Sequence, residues 1–188
     1  GTWYDVEPGT NPGHLYQQAT MRDALVAALS LSIFHEYSNR ITMANIAQAV
    51  NVLQSMILTE GAKMVLTPTY HVFNLFKVHQ DAQWLPTRID GNRYTTVSEG
   101  RVPAIAATAS VKDGKTHVVL INTDMNKSEE VTLAGIRGKV KSAQVLTSKE
   151  IHRVNTFDSP HEVEPHGFTD YNGHTFRLPP FSIVTLEF

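Results

Sequence analysis

The sequence predicts a two-part chain, in which the end of a parallel α/β barrel is followed by an all-β sandwich. Charged residues are unevenly spread, since residues 1–80 hold only 9 of the 34 in the chain. Helix and strand patterns alternate in this first part, as they do in a parallel α/β sheet. Short apolar runs separated by turn signals fill the rest, as in a β-sandwich. We therefore expect the last βα units of a (β/α)₈ barrel in residues 1–80 and a β-sandwich in residues 81–188.

The first predicted helix begins with a polar start signal. Thr20 followed by Asp23 has the spacing of a capping box, and Asn39 is a suitable stop. Between them, apolar residues recur at helical spacing, namely Leu25, Val26, Leu29, Ile33 and Phe34. The pattern predicts a helix with this apolar face buried.

A strand and a second helix are predicted next. Residues 41–51, "ITMANIAQAVN", favour a buried strand, with a short helix as the alternative. A loop containing "TEG" (59–61) leads to Thr67-Pro68, a hydroxyl cap with Pro at the first helical position. The helix that starts there carries Val72, Phe73 and Phe76 on one face.

The second part of the sequence carries strand and hairpin signals. Asp113-Gly114 stands between two apolar runs in residues 104–124, which predicts a β-hairpin. Further short strands are expected in "EEVTLAG" (129–135) and "VKSAQVLT" (140–147). Residues 181–188 alternate, with Val184, Leu186 and Phe188 on one side and Thr185 and Glu187 on the other.

Composition excludes several classes of protein. With 16 basic and 18 acidic residues and no like-charge run, the chain has no polyanion-binding surface, so no nucleic acid partner is expected. The longest apolar stretch, residues 24–34, is too short to span a bilayer, and no membrane partner is expected. The absence of cysteine excludes disulfides and thiolate sites.

The nine histidines do not have metal-site spacing. His71 and His79 are two helical turns apart, no HExxH occurs, and His161, His166 and His174 lie among Pro and Gly, as surface residues do. We therefore predict no metal and no cofactor. A Ser-His-Asp triad stays open, although no G-x-S-x-G motif marks a nucleophile.

The first part needs additional α/β units. A parallel sheet requires both faces covered and its edges paired, and two strands with two helices provide neither. We therefore expect that the units completing the barrel precede Gly1, and that Gly1 follows a strand end.

Two groups of residues are candidates for ligand binding. Trp3 and Tyr4 fall near a predicted strand end, where an aromatic pair serves either the core or a platform for a sugar ring. Asn45, Gln48 and Asn51 place amides within an apolar segment. Such amides must be hydrogen-bonded, either by the backbone or by a polyhydroxylated ligand.

Glycoside chemistry needs two carboxyl groups that flank the bond to be broken. Asp23 is interpreted as a cap, Glu36 as a helix surface residue and Asp81 as part of the boundary between the two parts. The loop acids Asp5, Glu7 and Glu60 have the turn-rich flanks of solvated positions. No catalytic pair is predicted within the chain.

Five stretches closely resemble the C-terminal part of glycoside hydrolase family 51, the α-L-arabinofuranosidases. The resemblance covers essentially the whole chain and rests on "GTWYDVEPGTNPGHLYQQATMRDALVAALSLSIFHE", "MANIAQAVNVLQSMILTEG", "MVLTPTYHVFNLF", "VLTSKEIHRVNTFDSPHEVEP" and "LPPFSIVTLEF". It implies a (β/α)₈ barrel joined to a jelly-roll-like sandwich, and a retaining mechanism.

The resemblance also implies roles for particular residues. Gln48 matches the family glutamine that hydrogen-bonds the arabinofuranose, Trp3 matches an aromatic residue of the pocket, and Asn45 is a weaker match. The family's catalytic carboxylates, the Glu of an Asp-Glu-Trp motif and that of an Asn-Glu motif, have no counterpart here. Both are expected ahead of Gly1.

Partners and location follow from the same resemblance. It implies an arabinose-containing oligosaccharide as substrate, an N-terminal portion of the same enzyme that completes the barrel, a homo-oligomer and a cytoplasmic location. The alternatives are a non-catalytic carbohydrate-binding or structural sandwich module, and a subunit that acts only with an N-terminal chain.

Overall fold

The computed structural model of the chain describes residues 19–46, 49–97 and 100–188. Two α-helices, a short 3₁₀ helix and thirteen strands occur within these residues. In chain order they are α1 Met21–Glu36, β1 Ile57–Glu60, β2 Lys63–Leu66, α2 Pro68–Phe76, the 3₁₀ helix Lys77–His79, β3 Gln83–Leu85, β4 Tyr94–Val97, β5 Gly100–Pro103, β6 Ile105–Lys112, β7 Lys115–Asn122, β8 Glu129–Thr132, β9 Ser142–Leu146, β10 His166–Gly167, β11 Tyr171–Asn172, β12 Thr175–Leu178 and β13 Ser182–Glu187.

A six-stranded antiparallel sheet is the centre of the fold. Its strands lie in the order β10-β9-β13-β7-β6-β3. The predicted hairpin at Asp113-Gly114 is confirmed, because these residues join β6 to β7 with Lys112 paired to Lys115. Both turn residues have positive φ, 52° and 74°, as a tight two-residue hairpin turn requires.

Both faces of the central strands are covered. On one face, Val119, Ile121 and Ile183 form a core with α1 and α2. On the other, Val184 and Leu186 lie in a second core with residues of β12, in the three-stranded antiparallel sheet β11-β12-β8. The alternation predicted for residues 181–188 is confirmed, and Ile183 is also buried because the helices cover the opposite face.

Helix α1 begins where its capping box predicts. The backbone N–H of Thr20 donates to Asp23 Oδ2 at 2.8 Å, and the Thr20 hydroxyl donates to the same oxygen at 2.7 Å. The helix ends at Glu36, three residues before the expected stop at Asn39. Its buried face is partly different from the predicted one, because Val26, Ile33 and Phe34 are exposed. Leu25 is buried as predicted, and Met21, Ala24 and Ala28 are buried with it.

Helix α2 agrees with the prediction. The Thr67 hydroxyl accepts a hydrogen bond from the Tyr70 N–H at 3.4 Å, and Pro68 opens the helix. Val72 and Phe76 are buried in the core shared with the sheet, while Phe73 is half-buried.

The buried strand or short helix predicted for residues 41–51 is wrong for its described part. Residues 41–46 and 49–51 lie outside any helix or strand, apart from an isolated parallel bridge between Val50 and Ile57. At the end of this segment the physical reason is that Asn51 has φ of 54°, which regular helices and strands do not accommodate.

The predicted "TEG" loop is also corrected. Thr59 and Glu60 belong to β1, and β1 pairs with β2 in an antiparallel hairpin that ends at the Glu60–Lys63 pair. Gly61 has φ of 57°, so the chain reverses within two residues.

Candidate functional site

Two of the predicted sugar-binding residues, Asn45 and Gln48, follow α1 in the chain. Gln48 and Trp3, with Tyr4, fall outside the described residues. Asn45 is described, and it is exposed at the boundary between two clefts. Among the described residues, no hydrogen bond is formed by the Asn45 amide.

The two clefts next to Asn45 differ in shape and walls. A cleft of about 590 Å³ lies between the C-terminal half of α1, residues 41–45 and the 3₁₀ helix. A smaller cleft of about 380 Å³ lies between α1, α2 and residues 44–46. Phe34 and Phe73 contribute apolar wall to both.

Polar groups line the smaller cleft. Asp23 is only 6% exposed, and its Oδ1 accepts a hydrogen bond from Gln54 Nε2 at 3.4 Å, while Oδ2 caps α1. The Thr69 hydroxyl is buried and has no hydrogen-bond partner among the described residues. A hydroxyl, an amide and a carboxylate beside apolar walls are groups that bind a polyhydroxylated molecule.

Sequence reasoning missed the contribution of Gln54 and Thr69. It also assigned Asp23 to capping alone, a role that the structure confirms. The sequence feature that could have indicated Gln54 is its position six residues after Gln48, in the same apolar stretch that polar amides interrupt. The fold brings Gln54 to α1 because its positive φ turns the chain back.

The Asn51 amide is satisfied by the protein itself. Its Oδ1 accepts from the Thr59 N–H at 2.7 Å, and its Nδ2 donates to the Thr59 hydroxyl at 2.8 Å and to the Thr59 carbonyl at 3.2 Å. Of the two alternatives for this amide, backbone and ligand, the backbone is therefore the correct one.

The acids do not form a described pair around a cleft. Glu36, Glu60 and Asp81 are exposed, and Asp5 and Glu7 fall outside the described residues. In the ranges the structure covers, no group of three or more His, Asp or Glu side chains is arranged to hold a metal ion. No helix of the described residues is long and apolar enough to cross a membrane.

Two half-buried histidines, His35 of α1 and His79 of the 3₁₀ helix, contact strand β6 of the sheet. His35 Nδ1 is 2.7 Å from the Thr108 hydroxyl, and His79 Nδ1 is 2.7 Å from the Ser110 hydroxyl. Their ring centroids are 4.6 Å apart. Burial lowers the pKa of His79 to about 3, with a further contribution from the nearby His35 and His117, and burial lowers the pKa of His35 as well.

These contacts give the histidines structural roles. Ser110 is fully buried, so its hydroxyl is not accessible as a nucleophile although it contacts His79. His71, on α2, is buried separately, and burial lowers its pKa. The predicted surface histidines are at the surface, where His161 contacts Glu164 and His174 contacts the Gly138 carbonyl.

Comparison with known proteins gives one consistent result. A family model described as the α-L-arabinofuranosidase C-terminal domain matches residues 1–182. An intracellular exo-α-L-arabinofuranosidase of Bacteroides ovatus is 49% identical over all of this chain and 38% of its own length. An intracellular exo-α-(1→5)-L-arabinofuranosidase of Bifidobacterium longum is 26% identical over 97% of this chain and 35% of its own length.

Solved structures agree in fold. A family 51 arabinofuranosidase from Xanthomonas axonopodis pv. citri superposes with a TM-score of 0.88 at 45% identity, over 100% of this chain and 39% of that one. A family 51 α-L-arabinofuranosidase from Bifidobacterium longum superposes with a TM-score of 0.79 at 26% identity, over 98% of this chain and 38% of that one. The chain thus spans less than half the length of the relatives it matches.

Proposed function

Because this chain belongs to the α-L-arabinofuranosidase C-terminal domain family, we propose that it forms the C-terminal part of a retaining α-L-arabinofuranosidase. The enzyme would remove terminal non-reducing α-L-arabinofuranosyl residues from oligosaccharides derived from arabinan or arabinoxylan. The observation that carries this proposal is the 49% identity, over the whole chain, to a protein named as an intracellular exo-α-L-arabinofuranosidase.

Within that enzyme, residues 1–80 would finish the (β/α)₈ barrel and residues 81–188 would form a jelly-roll-like sandwich. The portion of the enzyme that precedes this chain would cover the exposed apolar side of α1, where Ile33 and Phe34 lie. A helix that is apolar all round is expected to be contacted on all sides, which supports this arrangement. We further propose a cytoplasmic location, in keeping with the names of the relatives, and a homo-oligomeric assembly.

The chemistry would be shared between this chain and that preceding portion. A retaining glycosidase uses two carboxyl groups about 5–5.5 Å apart, one as nucleophile and the other as acid and then base. We expect both from residues outside this chain. Gln48, Trp3 and Asn45 would bind the sugar ring, the amides through its hydroxyls and the indole through its apolar face. Asn45 is exposed and lines a cleft, which supports its part in this set.

The decisive test is Gln48→Ala in the protein at its natural length. We expect kcat/KM on a p-nitrophenyl α-L-arabinofuranoside to fall by roughly 1–3 kcal/mol of transition-state binding, because hydroxyl partners of the amide lose their hydrogen bonds. Gln83→Ala, in strand β3 of the sandwich, is the matched control and should leave kcat/KM unchanged.

Two results would count against the proposal. Unchanged kcat/KM in Gln48→Ala would remove Gln48 from the site. A wild-type protein of natural length that binds arabino-oligosaccharides without cleaving them would instead identify a non-catalytic carbohydrate-binding module.

A further inference from the structure

The segment between α1 and β1 carries the amides that the proposed function assigns to sugar binding. In their described parts, residues 37–56 contain neither a helix nor a strand. Regular hydrogen bonding therefore does not hold this backbone, although a substrate-binding side chain must be held within a fraction of an ångström. The anchors of the segment must come from individual contacts.

Asn51 provides the densest of these contacts. Its side-chain amide makes three hydrogen bonds to Thr59 of β1, between 2.7 and 3.2 Å long, and its backbone N–H donates to the Ile57 carbonyl at 3.1 Å. Two residues earlier, the Ala49 carbonyl accepts from the Ile57 N–H at 3.0 Å and from the Met56 N–H at 3.1 Å. The residue directly after Gln48 is thus tied to the same strand.

The Asn51 amide continues a parallel strand ladder. Around the Val50–Ile57 bridge, Ile57 bonds to the Ala49 carbonyl and to the Asn51 N–H, as in an ordinary parallel pair. If this parallel pairing continued, the Asn51 carbonyl would accept from the Thr59 N–H, and the N–H of residue 53 would donate to the Thr59 carbonyl. The Asn51 side chain supplies both groups instead, with Oδ1 in place of the carbonyl and Nδ2 in place of the N–H.

Because the Asn51 side chain takes the place of these backbone groups, the backbone can turn away from β1 after Asn51. Asn51 has φ of 54°, in the left-handed region where asparagine and glycine are tolerated. Asparagine combines that conformation with a short side chain that presents a donor and an acceptor in peptide geometry. Aspartate lacks the donor, and glycine lacks both groups.

We propose that Asn51 is the positioning residue of the sugar-binding segment, because it holds Ala49 and Val50, which follow Gln48 directly in the chain, against β1. This inference rests on the proposed function, since it gives Asn51 a role through Gln48. The two residues are three apart, so the chain allows at most roughly 11 Å between them, a short path for transmitting position.

Two substitutions isolate the amide, in the protein at its natural length. Asn51→Gly keeps the positive φ without strain and removes all three side-chain bonds. Asn51→Asp keeps the bond from the Thr59 N–H and loses both donor bonds, so it remains informative if the glycine variant fails to fold. The matched control is Asn92→Gly in the sandwich, where the Asn92 amide bonds both the N–H and the carbonyl of Ile105 at 3.1 and 2.7 Å.

The measurement is a double-mutant cycle with Gln48→Ala on a p-nitrophenyl α-L-arabinofuranoside, with melting temperatures recorded for each variant. We expect Asn51→Gly to lower kcat about tenfold when Gln48 is present and less than twofold in the Gln48→Ala background, because residues that act as a unit are not additive. Asn51→Asp should follow the same pattern with a smaller loss. Asn92→Gly should lower the melting temperature similarly while kcat stays within twofold.

The possible results separate the inference from the proposed function. If Gln48→Ala lowers kcat/KM while Asn51→Gly leaves kcat unchanged, or lowers it equally in both backgrounds, the inference is wrong and the proposed function stands. If Gln48→Ala has no effect, the proposed role of Gln48 and the inference are both wrong. An equal loss of kcat in Asn92→Gly would make the effect one of general stability and would also overturn the inference.

Discussion

The two sides of helix α1 are both apolar, yet they differ in residue size and in burial. The inner side, which packs on α2 and the sheet, combines the large Met21 and Leu25 with Ala24 and Ala28, and all four are buried. The outer side carries Val26, Ile33 and Phe34, whose exposed fractions are 38%, 54% and 39%. Large apolar residues thus lie on both sides, and alanines separate them only on the inner one.

This difference teaches that an apolar pattern identifies surfaces in contact without saying which neighbour each surface meets. Small residues let the helix approach its own sheet closely, because interiors pack without gaps. On the outer side, Val26 and Phe34 line the clefts beside Asn45. Under the proposed function, the outer side of α1 contacts the part of the enzyme outside this chain.

The largest expected effect is on the inner side. Met21 is fully buried at the start of α1, and Met21→Ala should lower the free energy of unfolding by about 2–5 kcal/mol through lost burial and a residual cavity. Chemical denaturation of the protein at its natural length measures this. Met125→Ala, whose side chain is 41% exposed, is the control and should change the free energy by less than about 0.5 kcal/mol. Equal losses would remove the distinction between an inner core and a solvated surface.

An intermediate effect tests the outer side. If the rest of the enzyme covers it, Ile33→Ala should lower the free energy of unfolding by about 2 kcal/mol in the natural-length protein, as for a buried isoleucine. The same denaturation experiment applies, with Met125→Ala again as the reference for a solvated residue. A loss within about 0.5 kcal/mol would mean that Ile33 stays in solvent and that the outer side has no partner.

The smallest expected effect is a loss of stability at acidic pH. It involves His79 of the 3₁₀ helix, whose ring lies next to that of His35 near the C-terminal end of α1. Burial, with a contribution from His35 and His117, lowers the pKa of His79 from its ordinary value of 6.5 to about 3. The unfolded chain therefore binds protons more readily than the folded protein between these two values. Stability should be fully present above pH 6.5 and fall as the pH drops below it, by up to about 1.4 kcal/mol per pH unit for this one residue.

Denaturation midpoints at pH 7.5, 6.5 and 5.5 measure this dependence. His79→Gln keeps a polar group opposite Ser110 and cannot be protonated, so its stability should fall less between pH 6.5 and 5.5. If the variant and the wild type lose the same stability over this range, the burial of a neutral His79 does not contribute to acid sensitivity.

Much of the fold could be predicted because its signals are local. The start of α1 depends on the Thr20–Asp23 spacing, the start of α2 on Thr67-Pro68, and the β6–β7 hairpin on Asp113-Gly114, and each involves residues within a few positions of one another. The alternation of residues 181–188 was equally informative, since one side of β13 faces each core. In all these elements, local preference and tertiary packing agree.

The conformation of residues 41–51 could not be predicted, because it depends on hydrogen bonds between the Asn51 side chain and Thr59, eight residues later in the chain. An apolar, β-branched run predicts a strand, and nothing in it reveals that the Asn51 side chain replaces the backbone against Thr59. The buried face of α1 was mispredicted for a related reason, since periodicity cannot rank two apolar sides. Of the predicted site, only Asn45 lies within the described residues, so the roles of Gln48 and Trp3 stay predictions.

The position of β13 in the sheet has a consequence for biosynthesis. This strand lies between β7 and β9 and pairs with both, although all of its residues are translated after both neighbours. A nascent chain that has not reached residue 182 leaves two strand margins open at the centre of the sheet. Closure must wait for pairings that span 60 to 70 residues to β7 and 37 to 45 residues to β9, so folding should be slow and the unfinished chain should depend on chaperones.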